Sequence, residues 1–441
     1  MWEYEDAIAY LKNLTKFGIN LGLERIKALL AAIGNPERRL RTIHIGGTNG
    51  KGSTCALLSS ILQQAGYRVG MFISPHLHDY RERISINGEL ISRADVAEGI
   101  KQLKPALEKI VAEGVEHPTE FEVSTALALN YFAARQPDFV LLEAGLGGEI
   151  DSTNVVTPLV SVITSIGFDH MDYLGDTLAK IAAVKAGIIK EGVPAVVAVD
   201  DPEAFEVIRR RAEAKAARLI RIGQEVSYRQ TAPNRMDYRG LSLRLEGLEV
   251  ALLGEHQLNN ASKALAVCEI LRQDYKVDIP EKALREGLKK AFWPGRLELI
   301  SNSPKILLDG AHNVQGMQSL VKALTDYATG YFKRNKLILC LGMLADKERA
   351  KALAVIAPLA AQIIITKPDS ARAGDWQKLG TLAQEYVGRE NVLVIEDPIQ
   401  AVKEGLKRLQ KEDMLLVTGS LYMLGPVREY LLTANLNKEV V

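Results

Sequence analysis

Cysteine is scarce in this chain of 441 residues, and the three present, Cys55, Cys268 and Cys340, stand far apart with no C-x-x-C pair. That spacing excludes a disulfide framework and a thiolate zinc site, and it suits a reducing compartment. A surplus of charge is also missing, since 55 Lys and Arg oppose 54 Asp and Glu for a formal charge of +1. Proteins that coat nucleic acid or anionic membrane need a basic excess, so neither partner is expected. No apolar run approaches the ~20 residues of a membrane span. The longest, such as 337–344 and 361–366, are strand-length. Residues 1–14 mix acids with aromatics and lack the basic start and apolar stretch of a signal peptide, so a cytoplasmic location is expected. Fixed-period repeats and low-complexity segments are absent too. What is present is ample material for cores: 47% hydrophobic and 25% charged residues exclude disorder as the main state. At ~150 residues per domain, two or three domains are expected.

Apolar spacing predicts amphipathic helices over Tyr4–Leu14 and 23–33. A short strand follows at 41–45, then a glycine-rich loop, a helix from about 54 to 65, and a strand at 67–73. Further strands are expected at Phe139–Glu143, 159–166 and 194–199, with helices between them. Such alternation implies a parallel sheet covered on both faces. From 218 to 253 short alternating segments with turn residues suggest a small antiparallel insertion. Helices return at 256–272 and 280–291, and Trp293-Pro294-Gly295 punctuates the chain as an interdomain linker. A second alternating series then places strands at Lys305–Leu308, 336–341, 362–366, 391–395 and 414–417. The expected architecture is therefore α/β, with an N-terminal domain over 1–295 and a Rossmann-like, doubly wound domain over 296–441.

Gly47-Thr48-Asn49-Gly50-Lys51-Gly52-Ser53 lies between a strand and a helix, as a phosphate-cradling loop requires. Glycines let backbone N–H groups approach phosphate oxygens, and the helix start adds a favourable dipole. Lys51 would neutralise the β and γ phosphates, and Ser53 would donate to phosphate or magnesium. The alternative is a glycine-rich surface turn, which the strand–loop–helix context disfavours. The N-terminal domain thus reads as a P-loop ATPase. Glu143 closes a strand at its C-terminal end, where an open α/β sheet places its ligand, and Ser74 follows the preceding strand; both offer hard oxygens suited to magnesium. Taken singly, Ser74 would be a cap or core hydrogen bond. Lys185 sits in the apolar run 181–189, where desolvation would lower its pKa and leave the amine nucleophilic. Its bland reading is a lysine whose stem lies on the core while its head reaches water.

This phosphate loop resembles that of the folylpolyglutamate and dihydrofolate synthases, relatives of the Mur ligases. Ser74-Pro75-His76, the run Glu143 to Gly148, Asp151-Ser152-Thr153-Asn154, Asp169-His170, Pro294-Gly295-Arg296 and the run Asp309 to Asn313 match the same family in order along the chain. Mur ligases usually carry Lys-Thr-Thr or Lys-Thr-Ser where Gly52 follows Lys51 here, and have a domain of their own before the loop. Only about 45 residues precede it in this chain, so the folate branch fits better.

The resemblance implies ATP, two magnesium ions and a monovalent cation as cofactors. It assigns Ser74, Glu143 and His170 to metal, with Lys185 carbamylated in support. Asn259, Arg296 and Asp309 would join the phosphate loop in holding ATP, Asp309 at the ribose. Phe121 would pack on the pterin, where it could equally be an N-terminal helix staple. His312 and Ser420 would bind the incoming glutamate, and Lys51, Lys185 and His312 would be catalytic. As bland readings, Asn259 could cap a helix and Arg296 could form an interdomain ion pair. Glu149 departs from the family, where many relatives carry a basic residue. The implied activity is ATP-dependent addition of L-glutamate to a folate through an acyl phosphate, by a monomer. Dihydropteroate is the alternative substrate. A nucleotide-dependent switch or binding module is the alternative from another class, though a switch needs neither His312 nor Ser420.

Overall fold

The computed structural model describes residues 2–18 and 20–434. Its N-terminal sheet comprises β1 Thr42–Gly46, β2 Val69–Phe72, β3 Ile84–Ile86, β4 Glu89–Leu90, β5 Phe139–Glu143, β6 Val160–Ile163, β7 Ala195–Val197 and β8 Leu219–Arg221. Their order is β4-β3-β2-β5-β1-β6-β7-β8. All neighbours run parallel except the edge hairpin β3–β4, which turns back against β2. Every residue of β1 and β5 is buried, as befits strands covered on both faces. Ile43 and Ile45 pack with Leu57 and Leu58 of the helix Lys51–Gln64 on one face. Phe72, Val140 and Leu142 pack with Leu127 and Leu129 of the helix Glu120–Arg135 on the other.

The segment 218–253 divides, where an antiparallel unit was expected throughout. β8 extends the main sheet parallel to β7, and only β9 Ser227–Ala232, β10 Arg235–Arg239 and β11 Arg244–Glu249 form the antiparallel insertion. Three residues give too short a pattern to reveal which way a strand runs.

The C-terminal sheet comprises β12 Glu298–Asn302, β13 Lys305–Leu308, β14 Leu337–Leu341, β15 Gln362–Ile365, β16 Val392–Val394 and β17 Met414–Thr418, in the order β12-β13-β17-β14-β15-β16. β13 to β17 are parallel, with helices and a separate core on each face. This is the doubly wound arrangement expected. β12 was not anticipated. It pairs antiparallel with β13 after the chain bends at Leu297, whose φ is 45°.

Topology brings the loops together. β1 lies between β5 and β6, so the loop after it sits where the strand order reverses, the usual ligand crevice of an open sheet. β17 lies between β13 and β14 and gathers the loops after those three strands.

Candidate active site

The helix after the phosphate loop begins at Lys51, three residues sooner than its apolar pattern indicates, because Gly50 caps it with φ 88°. That left-handed conformation favours glycine. Gly47, at φ 135°, could carry no side chain, since a Cβ would stand 2.1 Å from Thr164 Oγ1. Thr164 follows β6, whose pairing with β1 sets Ile163 beside Gly46. Its hydroxyl donates to the Asn49 carbonyl at 2.6 Å, and Asn49 N–H donates to Ser165 Oγ at 2.9 Å. Lys51 Nζ curls back to the carbonyls of Gly47 and Thr48, each at 3.1 Å, holding its charge inside the loop. Ser53 is buried and accepts a hydrogen bond from Gln257 Nε2 at 3.2 Å. A Cβ on Gly52 would lie 2.8 Å from the Trp293 indole. The linker therefore packs onto the helix start, which gives a physical reason for glycine after Lys51.

Pairing of β1 with β5 sets Glu143 opposite Ile45, next to the loop. Glu143 is buried, and its Oε2 accepts the Ser74 N–H at 3.3 Å. Burial raises its carboxyl, while Lys51 and the Ser74 N–H pull the other way. Lys185 is buried on the helix Leu178–Ala186 and donates to the Gly47 carbonyl at 3.1 Å. Burial, with Lys51 nearby, lowers its ammonium to about 7. His170 has its imidazole lowered to about 4 by burial. Ser74 Oγ lies 3.3 Å from where a Cβ on Gly145 would stand, and Phe121 fills the same space at 2.6 Å. Phe121 also stacks on Phe72, with ring centroids 5.9 Å apart.

The C-terminal domain meets this region directly. Asn49 and Asn313 exchange side-chain hydrogen bonds of 3.3 and 3.1 Å, and Asn49 also donates to Gln315 at 3.0 Å. His312 Nδ1 bonds the Gly310 carbonyl at 2.8 Å, and its Nε2 lies 3.7 Å from Asp169. Asp309 is buried, with its oxygens accepting the N–H groups of Leu297 and Ala311, each at 2.9 Å. Burial raises its carboxyl, opposed chiefly by Arg296. The Arg296 guanidinium lies against Gly310, 2.1 Å from an added Cβ. Ser420 is buried at the head of the helix Leu421–Thr433, accepting the Tyr422 N–H at 3.2 Å. Asn259, half-buried on the helix Glu255–Tyr275, has its amide oxygen occupied by Lys263. The Glu149 carboxylate lies 3.5 Å from the Arg211 guanidinium.

A cavity of about 340 Å³ joins the two halves. Ser74, Phe121 and His170 line it from the N-terminal domain, and His312 and Ser420 from the C-terminal domain. Sequence reasoning gave no role to several residues of this wall, among them the charged Arg83, Glu120, Asp151, Lys347 and Arg372. It also gave no role to Asp169, where Lys347, His312, Asn313 and His170 converge. Burial would raise that carboxyl, but His312, Lys347 and His170 outweigh it and hold it far below the usual range. A signal for Lys347 was available, as a cation in the loop after a parallel strand.

Magnesium can be tested against these donors. Among the described residues, no three His, Cys, Asp or Glu side chains converge in a way that could hold a metal ion. Ser74 and Glu143 supply hard oxygens, with His170 a softer neighbour. A carbamate on Lys185 would add the further anionic oxygen. With that group the donor types would suit a hard cation.

A Mur-type ligase is the class that this fold and loop define. Residues 45–268 match the Mur ligase middle domain, and residues 295–421 match the Mur ligase, glutamate ligase domain. The chain belongs to the folylpolyglutamate synthase/dihydrofolate synthase family. It is 40% identical over 436 residues to the dihydrofolate synthase/folylpolyglutamate synthase of Bacillus subtilis, covering 97% of this chain and 99% of that one. Among solved structures, folylpolyglutamate synthase of Thermotoga maritima is 39% identical with a TM-score of 0.84, over 99% of this chain and 98% of that one. An Escherichia coli relative, solved in complex with DHPP and ADP, is 32% identical with a TM-score of 0.86, over 97% of each chain.

Proposed function

We propose that this protein uses ATP to join the amine of L-glutamate to a carboxylate of a folate. One observation carries the reading: a single cavity is walled by Ser74, Phe121 and His170 of the N-terminal domain and by His312 and Ser420 of the glutamate ligase domain. A nucleotide switch has no use for such a shared chamber. All these groups come from one chain, which suits a monomer divided near residue 295. Three free, buried cysteines suit a cytoplasmic setting.

An amine cannot displace oxide from a carboxylate at neutral pH, so the carboxylate must first be activated. Its oxygen attacks the γ-phosphorus of ATP, the bond to the β-phosphate oxygen breaks, and an acyl phosphate and ADP result. The deprotonated glutamate amine then adds to the acyl carbon, and inorganic phosphate leaves. Gly47 to Ser53 cradle the phosphates, Lys51 and Arg296 offset charge on the transferring group, and Asn259 and Asp309 hold the nucleoside. Magnesium, held by Ser74, Glu143, His170 and carbamylated Lys185, would neutralise phosphate charge. The carbamate forms as the neutral Lys185 amine adds carbon dioxide and releases a proton. Phe121 packs on the pterin, while His312 and Ser420 place the glutamate. Domain apposition excludes water, which would hydrolyse an acyl phosphate.

The double name of the Bacillus subtilis relative and the E. coli complex with DHPP support a second activity, glutamate addition to dihydropteroate. The test is mass analysis of products from dihydropteroate, dihydrofolate and tetrahydrofolate, each with ATP and glutamate. Gain of one glutamyl unit on tetrahydrofolate is expected. Glutamate-independent ATP turnover with no product in any arm would overturn the ligase reading.

A further inference from the structure

The cavity between the domains has charged walls, and most of those charges are firmly held. Lys347 pairs with Asp169, and both side chains are buried. Arg83 pairs with Glu120 at 3.1 Å and Glu122 with Arg25 at 3.2 Å, all four largely sheltered from water. Asp151 accepts the N–H groups of Leu146 and Thr153 and the Thr153 hydroxyl. Breaking any of these would strand a charge away from solvent. Arg372 differs. Its Nη2 donates to Asp346, but the two side chains are 47% and 30% exposed. Water screens such a pair and leaves it weak, so the guanidinium can turn to another anion at small cost. The backbone beneath it is fixed. The Arg372 N–H donates to Ser370 Oγ at 3.2 Å, and its carbonyl accepts the Ala345 N–H at 2.8 Å. Arg349 bonds the carbonyls of Leu344 and Ala373. These bonds tie the loop after β15 to the loop after β14, which carries Lys347.

We propose that Arg372 selects the incoming amino acid by holding its side-chain carboxylate. This deepens the reading that His312 and Ser420 place L-glutamate, and it rests on that reading. All three residues line the same cavity. Glutamate carries two carboxylates and one amine, and the amine must reach the acyl carbon. The α-carboxylate shares its carbon with the amine, so it stays near the reacting centre. The side-chain carboxylate extends outward from it. Arg372 suits that outer group, being more open to solvent than the other cations of the wall, Arg83 and Lys347. A planar guanidinium meets a carboxylate with two parallel N–H···O bonds. It has no such match for glutamine, whose NH2 group would face N–H donors. Asp346 holds the fork in the absence of substrate and yields it to the stronger, more enclosed partner.

The test uses Arg372→Gln, Arg372→Lys and Asp346→Asn in the full chain, with His312→Ala to check the underlying reading. Each is assayed for the KM of glutamate, ATP and folate, for kcat, and for glutamate over glutamine preference. Tm is measured alongside and should hold for the three variants of the exposed pair. Arg372→Gln should raise the glutamate KM about thirtyfold with kcat and the other two constants little changed, because the contact is equal before and during reaction. Preference over glutamine should narrow by a similar factor, and Arg372→Lys should restore part of both. Asp346→Asn frees the guanidinium, so it should leave the glutamate KM level or lower it. A salt bridge that served only the loop would give Asp346→Asn the same defect as Arg372→Gln, and that result would overturn the inference. An Arg372→Gln enzyme with normal glutamate KM and preference, beside a His312→Ala that raises this KM, would overturn the inference alone. A rise in the folate KM in place of the glutamate KM would do the same, by putting Arg372 on the folate. If neither His312→Ala nor Arg372→Gln moves the glutamate KM, the glutamate-site reading falls with the inference.

Discussion

Replacing Lys347 by methionine should uncouple the two domains while leaving each folded. Lys347 and Asp169 form an ion pair across the interface, with side chains 7% and 8% exposed. Removing one partner of a buried pair strands the other charge, at a cost of about 3–5 kcal/mol. Asp169 would keep Asn313 at 3.3 Å and His312 at 3.7 Å, so the lower end applies. A loss of roughly 3 kcal/mol corresponds to about a hundredfold in the ratio of apposed to separated domains. Each domain has its own cores, so the melting temperature should move much less than activity does. The assay pairs kcat/KM for glutamate with small-angle scattering in the presence of a non-hydrolysable ATP analogue. Lys347→Met should lose about a hundredfold in kcat/KM and show a larger radius of gyration, and Lys347→Arg should recover part of both. A Lys347→Met enzyme with normal kcat/KM and an unchanged radius would refute the reasoning.

Lys185→Ala should be inactive, and short carboxylic acids in solution should partly restore it by replacing the carbamate; full activity without additions would make this lysine structural. Gly52→Thr should lower stability by about 1–3 kcal/mol through overpacking against Trp293, and Trp293→Ala should return part of it. An unshifted melt of Gly52→Thr would show that the linker yields freely. For Lys263, burial leaves the amine neutral above about pH 7 in the fold, while the unfolded chain holds that proton to about pH 10.4. The unfolded state binds more protons in between, so stability relative to Lys263→Met should rise between pH 7 and pH 9, by at most about 1.4 kcal/mol per pH unit. A flat difference across that range would mean that the lysine keeps its charge.

The phosphate loop was legible because its signal is local: glycines and Lys51 stand between a strand and a helix within a dozen residues. Glu143 was legible for the same reason, as the last residue of an apolar strand. Orientation of β8 was not, since three residues carry no period. β12 was hidden by the bend at Leu297, which only its pairing with β13 explains. The Asp169–Lys347 pair joins residues 178 positions apart, and Gly52 meets Trp293 across a comparable gap. No local pattern encodes such contacts. Lys263 was passed over because a lysine within a helix reads as a solvated face, and only the three-dimensional setting shows it buried among oxygens.

The central claim is that the folate carboxylate is phosphorylated before glutamate attacks. It is tested by supplying folate with 18O in the reacting carboxylate and analysing the released inorganic phosphate by mass. Acyl-phosphate chemistry breaks the bond between the acyl carbon and that oxygen, so one labelled oxygen should appear in phosphate for each amide formed. Unlabelled phosphate accompanying labelled amide product would contradict the account.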